Sequence, residues 1–202
     1  MTRTIIFVQH TEAEHHLTGI IGANHDFSLT ERGKQQAYAI GQRLLNEEGN
    51  GFVMYVSDMK RALQAAEEIN KSLGLTPVVR AELRSVDEGE GNGKTQEWHN
   101  LHRKPYGDRF DPDYRPFDGA ESDRDLWNRI NTVFQEIMNS DAEKILVVSH
   151  GITVSFLQSM MMGYTLTDLP RFRFDHPAGG VSKYRIGENG KVTAMYINRI
   201  YG

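Results

Sequence analysis

A chain of 202 residues with 39% hydrophobic and 25% charged content is sized for one soluble domain with a substantial core. Its formal charge of −4, without a long Lys/Arg run, argues against nucleic-acid or membrane binding, and the absence of cysteine excludes disulfides and thiolate chemistry. No apolar run approaches the roughly 20 residues that span a bilayer, and Met1-Thr2-Arg3 leads straight into an apolar segment with no room for a signal peptide, so a cytoplasmic setting is expected.

Ile5-Ile6-Phe7-Val8 reads as a strand buried on both faces, ending at Gln9-His10-Thr11. Residues 11–27 read as a loop, with Gly19, Gly22, Asn24 and Asp26 as turn formers. Ser28-Leu29-Thr30-Glu31 fits a capping box with Ser28 as N-cap. The helix it opens runs through Ala37, Ile40, Leu44 and Leu45 and stops at Gly49-Asn50-Gly51. Phe52–Val56 is a second buried strand. Ser57-Asp58 is expected to cap a helix with the apolar face Met59, Ala62, Ala66, Ile69 and Leu73, closed by Gly74, and Pro77–Val79 is a short strand.

Residues 84–120 have little periodicity; a short helix near Thr95–His102 and an irregular flap at about 96–120 are expected there. Leu126, Ile130, Val133, Phe134 and Ile137 restore helical spacing. Ile145-Leu146-Val147-Val148-Ser149-His150-Gly151 repeats the first strand's design, followed by a helix through Ile152, Phe156, Leu157 and Met160 to Gly163, with Met160–Met162 as core. Val181–Ile186 and Val192–Ile197 form a hairpin across Glu188-Asn189-Gly190. Strands alternating with helices predict a three-layer α/β/α domain over residues 1–202 with a mostly parallel sheet. Ligands in such sheets lie beyond the strands' C-terminal ends, where His10 and His150 both fall.

Four segments carry a resemblance: Leu29-Thr30-Glu31-Arg32-Gly33-Lys34-Gln35-Gln36-Ala37, Ser57-Asp58-Met59-Lys60-Arg61-Ala62-Leu63-Gln64, Phe117-Asp118-Gly119-Ala120-Glu121-Ser122, and Val148-Ser149-His150-Gly151. In this order and spacing they resemble the histidine phosphatase superfamily, with its phosphoglycerate mutase-like fold, over nearly the whole chain. The resemblance implies a metal-independent phosphomonoester hydrolase without a cofactor, acting on a small phosphorylated molecule. His10 would attack phosphorus and become a phosphohistidine. His150 and Arg61 would hold the phosphoryl oxygens, a carboxylic acid would protonate the leaving alcohol, and water would release phosphate. Arg61 falls in the first turn of its helix, where free backbone N–H groups favour an anion.

Two departures stand out. The family reads Arg-His-Gly where this chain reads Gln9-His10-Thr11, so neutral donors replace a charged fork. A hydrogen bond to a charged partner is worth about 1.5–3 kcal/mol, which is roughly one to two powers of ten in rate. Ser85 stands at the family's glutamate, four residues before Gly89, and a hydroxyl is no general acid. Asp87, two residues on and on the same side of an extended chain, is the preferred proton donor, with Glu88 next. His16 replaces the usual asparagine and joins Gln9 and Arg61 as a phosphate-facing candidate; Gly22-Ala23 replaces a polar residue and glycine.

The remaining histidines have plainer readings. His15 and His25 are loop residues, and His176 is a turn residue before Pro177. His99 and His102, three apart on a helix, lack a third metal ligand at a telling spacing. Glu31, Lys34 and Arg43 are a solvated helix face. Two other functions stay open: an inactive member that binds an anionic ligand or a protein partner, and a phosphoglycerate-type mutase, for which the chain leaves little room.

Overall fold

The computed structural model describes residues 2–171 and 174–201; Met1 and Gly202, counted within the expected single domain, lie outside them. Among the described residues the α-helices and β-strands follow in chain order: β1 (Arg3–Gln9), α1 (Glu14–Thr18), α2 (Glu31–Glu48), β2 (Phe52–Val56), α3 (Lys60–Leu73), β3 (Val78–Val79), α4 (Gln96–His102), α5 (Asp123–Asn139), β4 (Lys144–Ser149), α6 (Gly151–Met161), β5 (Val181–Ile186) and β6 (Val192–Arg199). The strands form one sheet in the order β3-β2-β4-β1-β5-β6. The first four run parallel, and β5 and β6 close the edge as an antiparallel hairpin. The expected three-layer, mostly parallel architecture is the one observed.

The apolar run of β1 is continuous because both faces of its strand are covered. Ile6 and Val8 pack with Ala37, Ile40 and Leu44 of α2 and Ala62, Ala66 and Ile69 of α3. Ile5 and Phe7 pack with Leu126, Ile130 and Val133 of α5 and Val154 and Leu157 of α6. All four strand residues are wholly buried, each worth about 1.5–3 kcal/mol in removal from water. Helix α6 is buried from Thr153 through Met161, and within that stretch the Gln158 amide donates to the Tyr184 hydroxyl at 2.8 Å.

Three expectations are corrected. The N-cap of α2 is Thr30, not Ser28: the Thr30 hydroxyl accepts from Gly33 N at 2.9 Å, while Leu29 bridges to Ala13 and keeps Ser28 outside the helix. Residues 11–27 include α1, closed by Gly19 at φ +67°. Helix α3 starts at Lys60 with Met59 as N-cap; the Ser57 hydroxyl accepts from Met59 N at 3.3 Å, and Asp58 is held by Arg84 through two bonds of 2.7 and 2.6 Å.

The flap is irregular but internally tied. After α4, capped by Thr95, the Lys104 N–H donates to Pro116 O at 2.9 Å and the Tyr114 hydroxyl to Lys104 O at 2.5 Å. Phe117 is fully buried beneath it, and Ser122 caps α5 in a capping box with Asp125. No helix among the described residues is long and apolar enough to cross a membrane.

Candidate active site

Strand register builds the site. Gln9 pairs with Ser149 across the parallel β1–β4 ladder, so the next residues, His10 and His150, emerge side by side at the sheet's C-terminal edge. Both follow the parity of Val8 and Val148 toward the α2–α3 layer. Their rings meet edge to face at 5.2 Å between centroids, and both are all but fully buried.

The surroundings select one tautomer of His10. Its Nδ1 lies 2.9 Å from Thr11 O, a carbonyl that can only accept, so Nδ1 carries the proton. Its Nε2 then holds the lone pair, and Arg61 Nε donates to it at 3.0 Å. Burial, then Arg61, then the neighbouring imidazoles of His16 and His15 drive the His10 pKa well below its ordinary value, against the opposing Thr11 contact. His10 is therefore a neutral imidazole with Nε2 presented into the site.

Arg61 is equally fixed. Its Nη1 donates to His25 O and its Nη2 to Ala23 O, both at 2.7 Å, although the side chain is 1% exposed. Burial pushes its pKa down to about 10, still charged at neutral pH. The Ala23 carbonyl is aimed by a backbone at φ +38°, a left-handed conformation that favours the glycine usual at this position. Asp26 accepts from Lys60 N at 2.9 Å, closing one of the first-turn amides of α3.

His150 Nε2 lies 2.9 Å from the Ser57 hydroxyl, and its buried Nδ1 has no partner. Burial, then Arg61 and His10, lower its pKa well below the usual value, so it is neutral in the free protein. His16 is brought against His10, their rings stacked at 5.6 Å, and His15 lies 5.8 Å from His10. Gln9 follows the opposite parity: its buried Oε1, without a partner, packs where a Cβ on Gly151 would be, at 2.7 Å.

The loop that holds His10 is itself clamped by α2. The Thr11 hydroxyl donates to Gly33 O at 2.7 Å, and Thr30 N donates to Glu12 O at 3.1 Å. A Cβ on Gly33 would fall 2.0 Å from Glu12 O, so only glycine permits this approach.

The two candidate acids differ. Asp87 accepts from Asn92 Nδ2 at 2.6 Å, Gly89 N at 2.9 Å and Asn24 Nδ2 at 3.1 Å. Burial pushes this carboxyl up, but those bonds and Arg129's charge together hold it below the usual carboxylate range. Those three bonds order its loop and favour the charged form of the carboxyl. Glu88 instead has its pKa raised by burial, against the pull of His99 and Arg103. Its Oε2 lies 3.1 Å from His99 Nδ1.

Glu88 also lines a cavity of about 460 Å³ between the flap and α6, shared with Val86, Arg103, Tyr106, Ile152 and Phe156. The backbone carbonyl of Ser85 accepts from Arg129, which also grips Glu121 through two bonds of 2.7 Å; Glu121 in turn accepts from Asp87 N at 2.9 Å.

His99 and His102 diverge, one toward Gly91 O at 2.8 Å and the other stacked on Trp98 at 4.3 Å. His176 is buried at the base of its turn, 3.1 Å from the Ser182 hydroxyl. Lys34 pairs with Glu31 on the open face of α2 at 2.6 Å. Sequence reasoning missed the carbonyls of Thr11, Ala23 and His25, because a backbone acceptor leaves no trace in residue type. Ser57 was visible within its motif but was assigned to a cap.

Phosphoserine phosphatase 1 of Hydrogenobacter thermophilus is 27% identical over 181 residues, covering 88% of this chain and 84% of that protein. Mouse 6-phosphofructo-2-kinase/fructose-2,6-bisphosphatase 1 is 29% identical over 199 residues, covering 97% of this chain but 40% of that longer protein. Mycobacterial glucosyl-3-phosphoglycerate phosphatase shares the fold at a TM-score of 0.81 and 18% identity, covering 98% of this chain and 99% of that one. The α-ribazole phosphatase of Shigella flexneri does so at a TM-score of 0.79 and 20% identity, over 98% of each chain. With a family model matching residues 5–199, the chain belongs to the histidine phosphatase superfamily (branch 1).

Proposed function

We propose that the protein is a metal-independent phosphomonoesterase in which His10 is the nucleophile. The observation that carries this reading is the fixed tautomer of His10, with Nδ1–H spent on Thr11 O and the Nε2 lone pair held beside the Arg61 guanidinium. In-line attack by Nε2 breaks the phosphorus–oxygen bond of the ester and leaves phosphohistidine. Arg61 and the Nδ1 or Nε2 of His150 donate to the phosphoryl oxygens as charge develops on them.

The leaving alcohol takes its proton from Glu88, whose raised pKa suits a donor. Asp87 is tied into its loop instead. The cavity beside Glu88, walled by Tyr106, Phe156 and Arg103, takes the organic part of a small phosphorylated substrate. Water then attacks phosphorus and gives its proton to the Glu88 carboxylate, breaking the nitrogen–phosphorus bond, releasing phosphate and restoring both His10 and the acid.

Gln9 and Ser85 favour a second reading, a family member that binds a phosphorylated ligand without turnover. One assay separates the two: a panel of phosphomonoesters with chelator present. Slow hydrolysis of at least one ester, abolished in His10→Ala and raised at least about tenfold in Gln9→Arg, is the outcome expected of a weakened phosphatase. An inert protein, with Gln9→Arg inert as well, selects the binding role. Wild-type turnover in His10→Ala refutes covalent catalysis.

A further inference from the structure

We propose that His99 is a positioning residue for the Glu88 acid: its ring holds Glu88 Oε2 through one shared proton and leaves Oε1 to serve the leaving group. His99 Nε2 lies 2.8 Å from Gly91 O, a carbonyl that can only accept, so Nε2 carries a proton. Its Nδ1 lies 3.1 Å from Glu88 Oε2. Both atoms are buried, and neither has a hydrogen-bond partner elsewhere. Two bare lone pairs at that separation repel, and each would be a buried polar atom left unmet. One proton in the gap satisfies both at once.

The pair is held from several sides. His99 is 1% exposed on α4, and Phe117, wholly buried, meets its ring edge to face at 4.7 Å. Gly91 admits both rings: a Cβ there would fall 2.8 Å from Phe117 and 3.2 Å from His99. Glu88 N donates to Asn92 Oδ1 at 3.1 Å, and Glu88 bridges to Ala120. Glu88 lines the cavity beside the flap and His99 does not. The imidazole therefore acts on a substrate only through the carboxyl.

This role rests on Glu88 as the proton donor. A carboxyl holds one proton. With that proton on Oε1, the shared one belongs to Nδ1, and Nδ1–H donates to Oε2. The leaving oxygen takes the Oε1 proton as the phosphorus–oxygen bond breaks, and the carboxylate left behind faces an imidazolium. Water's proton returns to Oε1 when the nitrogen–phosphorus bond breaks. The shared proton stays in the gap throughout. Arg103 is the other cation acting on Glu88; Asp111, Glu121 and Asp123 line the same cavity, with Glu121 held by Arg129. Burial raises the Glu88 pKa against the pull of both cations. Removing the imidazole lets burial raise it further and leaves the carboxylate formed in the reaction unsupported.

NMR of the protein labelled with heavy nitrogen at histidine reads the pair without catalysis. A low-field proton on His99 Nδ1 is expected in the native chain and lost in Glu88→Ala. Its absence from the native chain, or its survival in Glu88→Ala, overturns the shared proton. His99→Phe fills the space without a donor. On an alkyl phosphate its kcat should fall at least about tenfold with KM unchanged, and far less on an aryl phosphate. The alkaline limb of the alkyl profile should move to higher pH. His99→Asn, which keeps an N–H for Oε2, should recover part of the rate. Thermal unfolding checks each variant; should His99→Phe fail to fold, His99→Asn is read by the same limb. In a folded variant, full alkyl turnover, an unmoved limb or one moved to lower pH overturns the positioning role. The acid reading survives that failure if Glu88→Gln remains alkyl-selective. Equal loss on both esters in Glu88→Gln, or a protein inert on every ester, refutes that reading and the role of His99 with it, while the NMR signal still decides the pair.

Discussion

The chemistry at residue scale depends on which carboxyl can carry a proton. Asp87 is a hydrogen-bond acceptor three times over, so its charged form is the one its surroundings stabilise. Glu88 is pushed the other way by burial. Glu88→Gln should therefore slow an alkyl phosphate at least about tenfold more than an aryl phosphate, whose leaving group needs little protonation. Asp87→Asn should slow both equally and lower stability, because the amide loses acceptor capacity that Asn92, Gly89 and Asn24 use. Steady-state rates on matched esters check this; an alkyl-selective loss in Asp87→Asn would return the donor's role to Asp87.

Helix α2, strand β1 and the loop between them act as one device at the scale of the element. The Leu29–Ala37 motif is a packing statement: Thr30 caps the helix, and Gly33 lets it press against the Glu12 carbonyl one residue beyond the Thr11 carbonyl that orients His10. Gly33→Ala forces that carbonyl to move. A destabilisation of about 1–3 kcal/mol is expected from overpacking, with activity falling at least about tenfold as the His10 ring loses its anchor. Urea unfolding with kinetics on the same sample checks both. A loss of stability with full activity would show that Thr11 does not position His10.

These elements also explain what was legible in the sequence. Strand tips that carry His10 and His150 follow from apolar runs broken by a polar residue, and the shared register follows from the parallel sheet. Arg61 was readable from its motif. The choice of Ser28 over Thr30 as cap failed because both are good N-caps, and only the bridge from Leu29 to Ala13 decides between them. Helix α1 was missed because five residues with two adjacent histidines carry no periodicity. The acceptor bonds of Asp87 were not legible because Asn24 lies 63 positions away in the chain.

At the scale of the whole molecule, the fold buries several histidines as neutral rings. His10, His15, His150 and His176 are all lowered, chiefly by burial, His176 to about 4 and His15 to about 3. Each titrates near 6.5 in the unfolded chain, which therefore binds more protons below that pH than the folded one. Stability is full above about 6.5 and declines as pH falls toward about 4 and then about 3, by up to about 1.4 kcal/mol per pH unit for each such histidine. Urea midpoints should drop steadily between pH of about 7 and about 5. Equal midpoints across that range would mean that these rings are not held neutral.

The central claim, attack on phosphorus by His10 Nε2, is tested most directly by trapping the intermediate. The protein is mixed with a phosphomonoester it hydrolyses, quenched in alkali to preserve phosphohistidine, digested and mapped by mass spectrometry. A phosphoryl group on His10, absent from His10→Ala, is the result predicted. A phosphoryl group on another residue, or turnover with no phosphoenzyme at any time after mixing, would contradict it.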